Sequence, residues 1–239
     1  MSTFPPYFLF SFRFEAKKVP AGKTKLKPEF LGENYEFPAL WRFTPPKPQA
    51  GPKLSGNASP PPAETGTPDF HFRRGWREDG LFLTILLAGK KQPVQVNPQK
   101  LETSDSLSFM LDTRDVRIIH RATKFCHRLL FTPADTQKPD QEGKPSLVWL
   151  PIHRAKAHPN PVDTGRFETA YAAKPDGWSL SIFIPRDTLT GYDPAEHNRI
   201  GMSFILFDNE FGWISQQLPD YFPVTEDPSL WCTVDLAEK

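Results

Sequence analysis

Residues 8–15 read F-L-F-S-F-R-F-E. Phe8, Phe10, Phe12 and Phe14 fall on one side of a period-two pattern, and Ser11, Arg13 and Glu15 on the other. That alternation predicts a strand laying one face on a core. From Asp69 onward the signature recurs in short runs, at 69–76, 81–88, 105–112, 124–132, 147–153, 166–173, 177–184, 200–207 and 231–236. Leu107/Phe109/Leu111, Phe125/His127/Leu129/Phe131, Trp178/Leu180/Ile182/Ile184 and Ile200/Met202/Phe204/Leu206 alternate most cleanly. Pro93, Asn97-Pro98, Pro133, Pro139, Pro159, Pro161, Pro175 and Asp176-Gly177 punctuate the runs. Short strands with no helical pattern between them predict an all-β sandwich or barrel rather than a βαβ sheet. Pro185–Leu189 is expected to form a short helical turn.

Composition sharpens this picture. The 239 residues include 27 Pro and 20 Phe. Interior prolines break helices, and phenylalanine suits pleated, half-covered surface. Eight of the prolines lie between Pro45 and Pro68 among Gly, Ser, Ala and Thr, a stretch too poor in apolar side chains to offset its ordering entropy. A mobile loop or linker is expected there. Residues 17–44 are mixed, with Phe30, Leu31, Tyr35, Phe37, Leu40 and Trp41 as anchors. The expected organisation is one domain over 1–239: an N-terminal strand extension (1–44), the Pro-rich loop (45–68) and a sandwich core (69–236).

Lys and Arg number 29 against 28 Asp and Glu, so the formal net charge is +1. No general nucleic-acid binder is expected from that balance. Cys126 and Cys232 are too few for a disulfide scaffold and sit in apolar runs, where a free cysteine acts as a small hydrophobe. No apolar run reaches the ~18 residues of a membrane span, and the N-terminal segment lacks the basic start and cleavage site of a signal peptide. No membrane partner is expected, and the expected compartment is the cytoplasm.

Four segments occur in order in the second half: DSLSFMLDTRD (105–115), GWSLSIFIPRDTLTG (177–191), IGMSFILFDNE (200–210) and EDPSLWCTVDL (226–236). Over about 69–236 this series resembles the family 9 carbohydrate-binding modules and their DOMON-like relatives. The resemblance implies an antiparallel, jelly-roll-like β-sandwich that binds a carbohydrate without catalysis. In sugar-binding members two tryptophans clamp the ring, using the affinity of an aromatic face for sugar C–H groups. Here Glu102-Thr103-Ser104 precedes Asp105, and Phe222-Pro223-Val224-Thr225 precedes Asp227-Pro228, so neither tryptophan is in place. A ligand-contacting arginine of the family corresponds to Arg128 in F-C-H-R-L-L-F. The resemblance also implies structural calcium, for which Asp112 and Asp115 are the candidate ligands; no other cofactor is expected.

Successive strand residues point to opposite faces, so His127 is expected in the core and Arg128 on the other side, available to a ligand. Trp213, Gln216 and Tyr221, near the end of the FDNEFG segment, are the candidate rim contacts, and Trp149 is a further one. Together with Arg128 they would supply stacking, amide donors and a charged anchor. Asp208 and Glu210 are expected to cap the loop after their strand. There is no G-x-S-x-G, P-loop, H-E-x-x-H or C-x-x-C motif, and an enzyme is not expected. The expected function is binding of a carbohydrate or similar polyhydroxylated ligand on a sheet face. The alternative is a structural or protein-interaction domain that keeps the sandwich without the sugar site; a protein partner or homo-oligomer stays open.

Overall fold

The computed structural model describes residues 13–22, 25–36, 68–97, 104–134, 145–216, 218 and 222–238. Eleven strands form one curled sheet. They are β1 (Arg13–Lys18), β2 (Asp69–Arg77), β3 (Gly80–Ala88), β4 (Ser106–Asp112), β5 (Cys126–Thr132), β6 (Ser146–Leu150), β7 (Glu168–Lys174), β8 (Gly177–Pro185), β9 (Arg199–Asp208), β10 (Gly212–Ser215) and β11 (Cys232–Ala237). The order across the sheet is β6-β5-β4-β9-β11-β1-β2-β3-β8-β7. One edge of β9 serves two partners, β11 along Arg199–Met202 and β10 along Ile205–Asp208. The turn expected at Pro185–Leu189 is a 3₁₀ turn at Arg186–Thr188.

The two halves fold onto each other and make the sandwich. Phe72 of β2 stacks on Phe204 of β9 at 4.5 Å between ring centroids, and Phe131 of β5 meets Trp178 of β8 at 5.5 Å. The alternating residues read from the sequence supply the inner faces, including Leu107, Phe109, Leu111, Ile182 and Met202. The expectation of purely antiparallel pairing needs one correction. β1 runs parallel to both β11 and β2, and so joins the two layers into a continuous sheet. Phe14 lies in β1, whereas Phe8, Phe10 and Phe12 fall outside the described residues, as does the Pro-rich segment apart from Pro68.

β3 reads G-L-F-L-T-I-L-L-A, apolar at almost every position instead of at every second one, because both of its faces are covered. Its inner face carries Leu81, Leu83, Ile85 and Leu87. On its outer side Phe82, with Phe183 of β8, packs against Val19, Leu31, Phe30 and Tyr35 from the segment after β1. Hydroxyls on the sheet hold this strap by its backbone: Phe30 N–H donates to Ser181 Oγ (3.1 Å) and Leu31 N–H to Thr84 Oγ1 (3.2 Å). Gly75 permits the crossing, since a Cβ there would lie 2.5 Å from Val19 Cγ2.

Cys126 and Cys232 are free and buried. Burial, with Asp112 nearby, pushes the Cys126 thiol up to about 12. Because the thiolate is the reactive form, native protein is expected to alkylate at Cys126 at least about a hundredfold more slowly than urea-unfolded protein. Timed iodoacetamide labelling read by peptide mass spectrometry checks this.

Candidate functional site

The layer β6-β5-β4-β9 has a second, outward face, and the register shows what stands on it. Arg128 pairs with Leu150 on one side and Met110 on the other, and Met110 pairs with Ser203. The Arg128 guanidinium donates to Ser108 Oγ from Nε and Nη2, at 3.4 and 3.3 Å. Trp213 of β10 pairs with Phe207, which pairs with Ser106, so the indole shares this outward face. Arg128 and Trp213 are each half-buried. The indole N–H of Trp213 is shielded from solvent and has no acceptor among the described residues. His127 points inward as expected. Burial lowers it to about 4, and neither ring nitrogen meets a partner of normal geometry among the described residues.

Two sequence expectations fail on position. Gln216 is not a rim residue: it is fully buried, and its Nε2 donates to Cys232 Sγ at 2.7 Å. The short β10 carries the chain inward, and Gln216 N–H donates to the carbonyl of Phe204 at 3.3 Å. Trp149 pairs with Leu129, an inward residue, and packs on the main core, so it faces away from Arg128. Tyr221 lies outside the described residues.

The outward face is not an open platform either. Met110, Cys126 and Ile205 on the sheet are roofed by Ala122, Ile152, Leu218, Val224, Leu230 and Trp231, which make a second apolar cluster. Trp213 and Phe222 pack at its margin. Ser108 and Leu130, between Arg128 and Trp213, are buried as well.

At one end of the sandwich the D-S and D-N-E motifs meet in an ionic network. Lys90 Nζ contacts Asp208 Oδ2, lies 2.8 Å from Asn209 Oδ1 and stands 3.7 Å from Asp105. Asp105 accepts the N–H of Gln95 at 2.9 Å. Asp208 Oδ1 accepts the N–H groups of Glu210 and Phe211, and Glu210 accepts those of Lys91 and Gln92. Burial, reinforced by the Asp208 charge, raises the Asp105 carboxyl to about 6. The capping expected of Asp208 and Glu210 is what these contacts perform. Lys90 was not distinguishable in sequence from its neighbour Lys91, because only folding buries one of the two.

Asp112 is engaged within the chain, and Asp115 through one oxygen only, its Oδ1 being buried with no hydrogen-bond partner among the described residues. The Asp112 carboxylate accepts the N–H groups of Arg114 (3.0 Å) and Val116 (2.8 Å), and Asp115 Oδ2 accepts from Thr233 Oγ1 (2.9 Å). Arg199 Nε stands 3.4 Å from Asp115. Among the described residues no three His, Cys, Asp or Glu side chains gather as a metal-holding group. His120 Nδ1 is 3.0 Å from both Asp227 Oδ2 and Ser229 Oγ, and Ser229 Oγ donates directly to Asp227 Oδ1. Both contacts use the same ring nitrogen, so the trio is not wired as a nucleophile, base and orienting acid.

This architecture is the fold of a carbohydrate-binding module of family 9. Over 95% of this chain and 94% of the other, it matches the solved structure of a family 9 module from Caldicellulosiruptor kristjanssonii in complex with cellotriose, with a TM-score of 0.59 and 12% identity. The same module in complex with glucose matches over 95% and 96%, also with a TM-score of 0.59 and 12% identity. No protein-family model matches the sequence, and no curated protein matches it. No helix among the described residues is long and apolar enough to cross a membrane.

Proposed function

We propose that this protein is a non-catalytic binding module for a carbohydrate or a similar polyhydroxylated ligand. The observation that carries the reading is the end-to-end likeness to modules solved with cellotriose and glucose, which spans 95% of this chain. The outward face supports it with the required side-chain types: a guanidinium at Arg128 for ring hydroxyls and an indole at Trp213 for C–H groups. The clamp differs from that of the sugar-binding relatives. Arg128 and Trp213 stand three strands apart on this face, so each would meet a different part of an oligosaccharide, which suits weaker binding than a two-tryptophan sandwich.

A thermal-shift panel of neutral mono- and oligosaccharides tests the reading. A ligand at ~100 times its dissociation constant adds about 2.7 kcal/mol, or roughly 5–10 °C for a domain of this size. A sugar-specific rise that disappears in Arg128→Ala is the expected result. A flat panel, with a stable dimer or a captured partner instead, would replace the binding module by the interaction domain.

A further inference from the structure

The outward face carries a second feature, at the opposite end of β9 from Phe207. There Arg13 of β1, Thr233 of β11 and Arg199 of β9 meet the loop after β4 around a cavity of about 480 Å³. The loop is shaped to aim its charges. Asp112 takes the backbone N–H groups of Arg114 and Val116, and Asp115 adopts the left-handed conformation at φ 47°. That turn drives the Asp115 carboxylate inward against Thr233, leaving its side chain only 3% exposed. Gly201 eases the approach of the loop, since a Cβ there would stand 3.2 Å from Asp112 Cβ. The single acid of the lining is thereby withdrawn from solvent while four guanidinium groups, of Arg13, Arg114, Arg117 and Arg199, remain around the opening.

Two of the four are already engaged: Arg13 pairs with Asp235, and Arg199 with Asp115. Arg117 contacts the Thr233 hydroxyl at 3.3 Å, and Arg114 lies over the Phe125 ring at 5.0 Å. Neither forms an ion pair among the described residues. In a chain of net charge +1 such a concentration of guanidinium groups is a local construction, not an average property. The lining also has an apolar side. Val116 is half-buried, and Ile118, at 89% exposure, is the one large hydrophobe that stands fully in solvent among the described residues.

We propose that this pocket binds the oxyanion of an acidic saccharide, the carboxylate of a uronic acid or the sulfate of a sulfated sugar. Arg114 and Arg117 close on the anion, and Val116 and Ile118 meet the ring. Guanidinium groups match planar oxyanions bidentately, and the cavity has the size of a small-ligand site. The anion half of the proposal rests on the pocket; the saccharide half rests on the binding-module reading above. The site is separate from Arg128 and Trp213, at the other end of the same outward face.

Calorimetric titration of the full chain decides it, with four probes: an oligogalacturonate, a sulfated disaccharide, inorganic sulfate and cellotriose. The expected result is saturable binding of the oligogalacturonate or the sulfated disaccharide, each probe separating one source of the oxyanion from the other. Binding should weaken as salt is raised, fall at least tenfold in the double variant Arg114→Gln/Arg117→Gln and persist in Arg128→Ala. Both arginines are outside the core, and an unchanged melting curve confirms that the double variant is folded. Binding of sulfate with no acidic saccharide bound would overturn the saccharide assignment. Acidic-saccharide binding that survives the double variant would overturn the pocket. If cellotriose is silent and the acidic sugar binds through Arg114 and Arg117, the neutral-sugar face fails and this site stands. Silence from all four probes removes both.

Discussion

Lys90→Met is expected to lower the free energy of unfolding by about 3–5 kcal/mol, the range for removing one partner of a buried ion pair. The Lys90 side chain is 2% exposed, and the carboxylates beside it, Asp105 and Asp208, are 2% and 1% exposed. Methionine retains most of the apolar stem, so the loss comes from two buried acids left without their counter-charge. Acidity provides a second signature. Asp105 is raised from 3.8 to about 6, so between those values the folded chain holds a proton that the unfolded chain has released. Stability from this group is therefore fully present below about pH 4 and is lost as pH rises through 6, by about 3 kcal/mol at 1.36 kcal/mol per unit. Without the Lys90 ammonium, Asp105 titrates higher still, so the deficit of Lys90→Met should be smaller at pH 5 than at pH 8. Urea unfolding of both proteins across that interval measures it. A deficit independent of pH would mean that Asp105 is not the carboxylate whose charge Lys90 offsets.

Trp231→Ala is expected to cost about 3–5 kcal/mol, the loss typical when a buried tryptophan is truncated to alanine. Trp231 is fully buried among Met110, Cys126, Ile205 and Leu218, and its Nε1–H donates to the Val224 carbonyl at 2.7 Å. Truncation opens a cavity on the outward face and strands that carbonyl. Trp231→Phe separates the two effects: it retains most of the ring and loses only the hydrogen bond, worth about 1 kcal/mol. Denaturant melts of both variants give the comparison. The damage should also be regional. Amide exchange in the 224–230 segment should accelerate more than exchange in β3 and β8, which belong to the main core.

The inner faces were legible because alternation is a local property. Leu107/Phe109/Leu111 and Ile200/Met202/Phe204/Leu206 stand where their period places them, and the expected runs match β2 through β9 and β11 closely. β10 was missed, since four residues are too few to display a period. The parallel seat of β1 was invisible for a different reason: its partners begin about 56 and 219 residues further along, and no local pattern encodes pairing at that distance. Among candidate site residues, Arg128 was placed on the outward face by parity, whereas Trp213, read only as a rim residue after the FDNEFG segment, reaches that face on the unforeseen β10. Gln216 and Trp149 were misjudged because their surroundings depend on which strand lies beside them. The four-arginine pocket was partly on view in the D-T-R-D-V-R run, but Arg13 and Arg199 join it only through the sheet.

The position of β1 between β11 and β2 also bears on how the chain acquires its structure. β1 is synthesised about 219 residues before β11, yet Phe14 pairs with Val234 and Ala16 with Leu236. Until β11 arrives, β1 presents one unpaired edge, and the two layers have no hydrogen-bonded seam between them. Domains with such distant pairings fold slowly, and an open edge is where strands of neighbouring chains attach. Closure of the sandwich is thus a late, whole-chain event. A nascent chain stalled before residue 232 should remain protease-sensitive at β1, whereas release of β11 should protect β1 and β11 together.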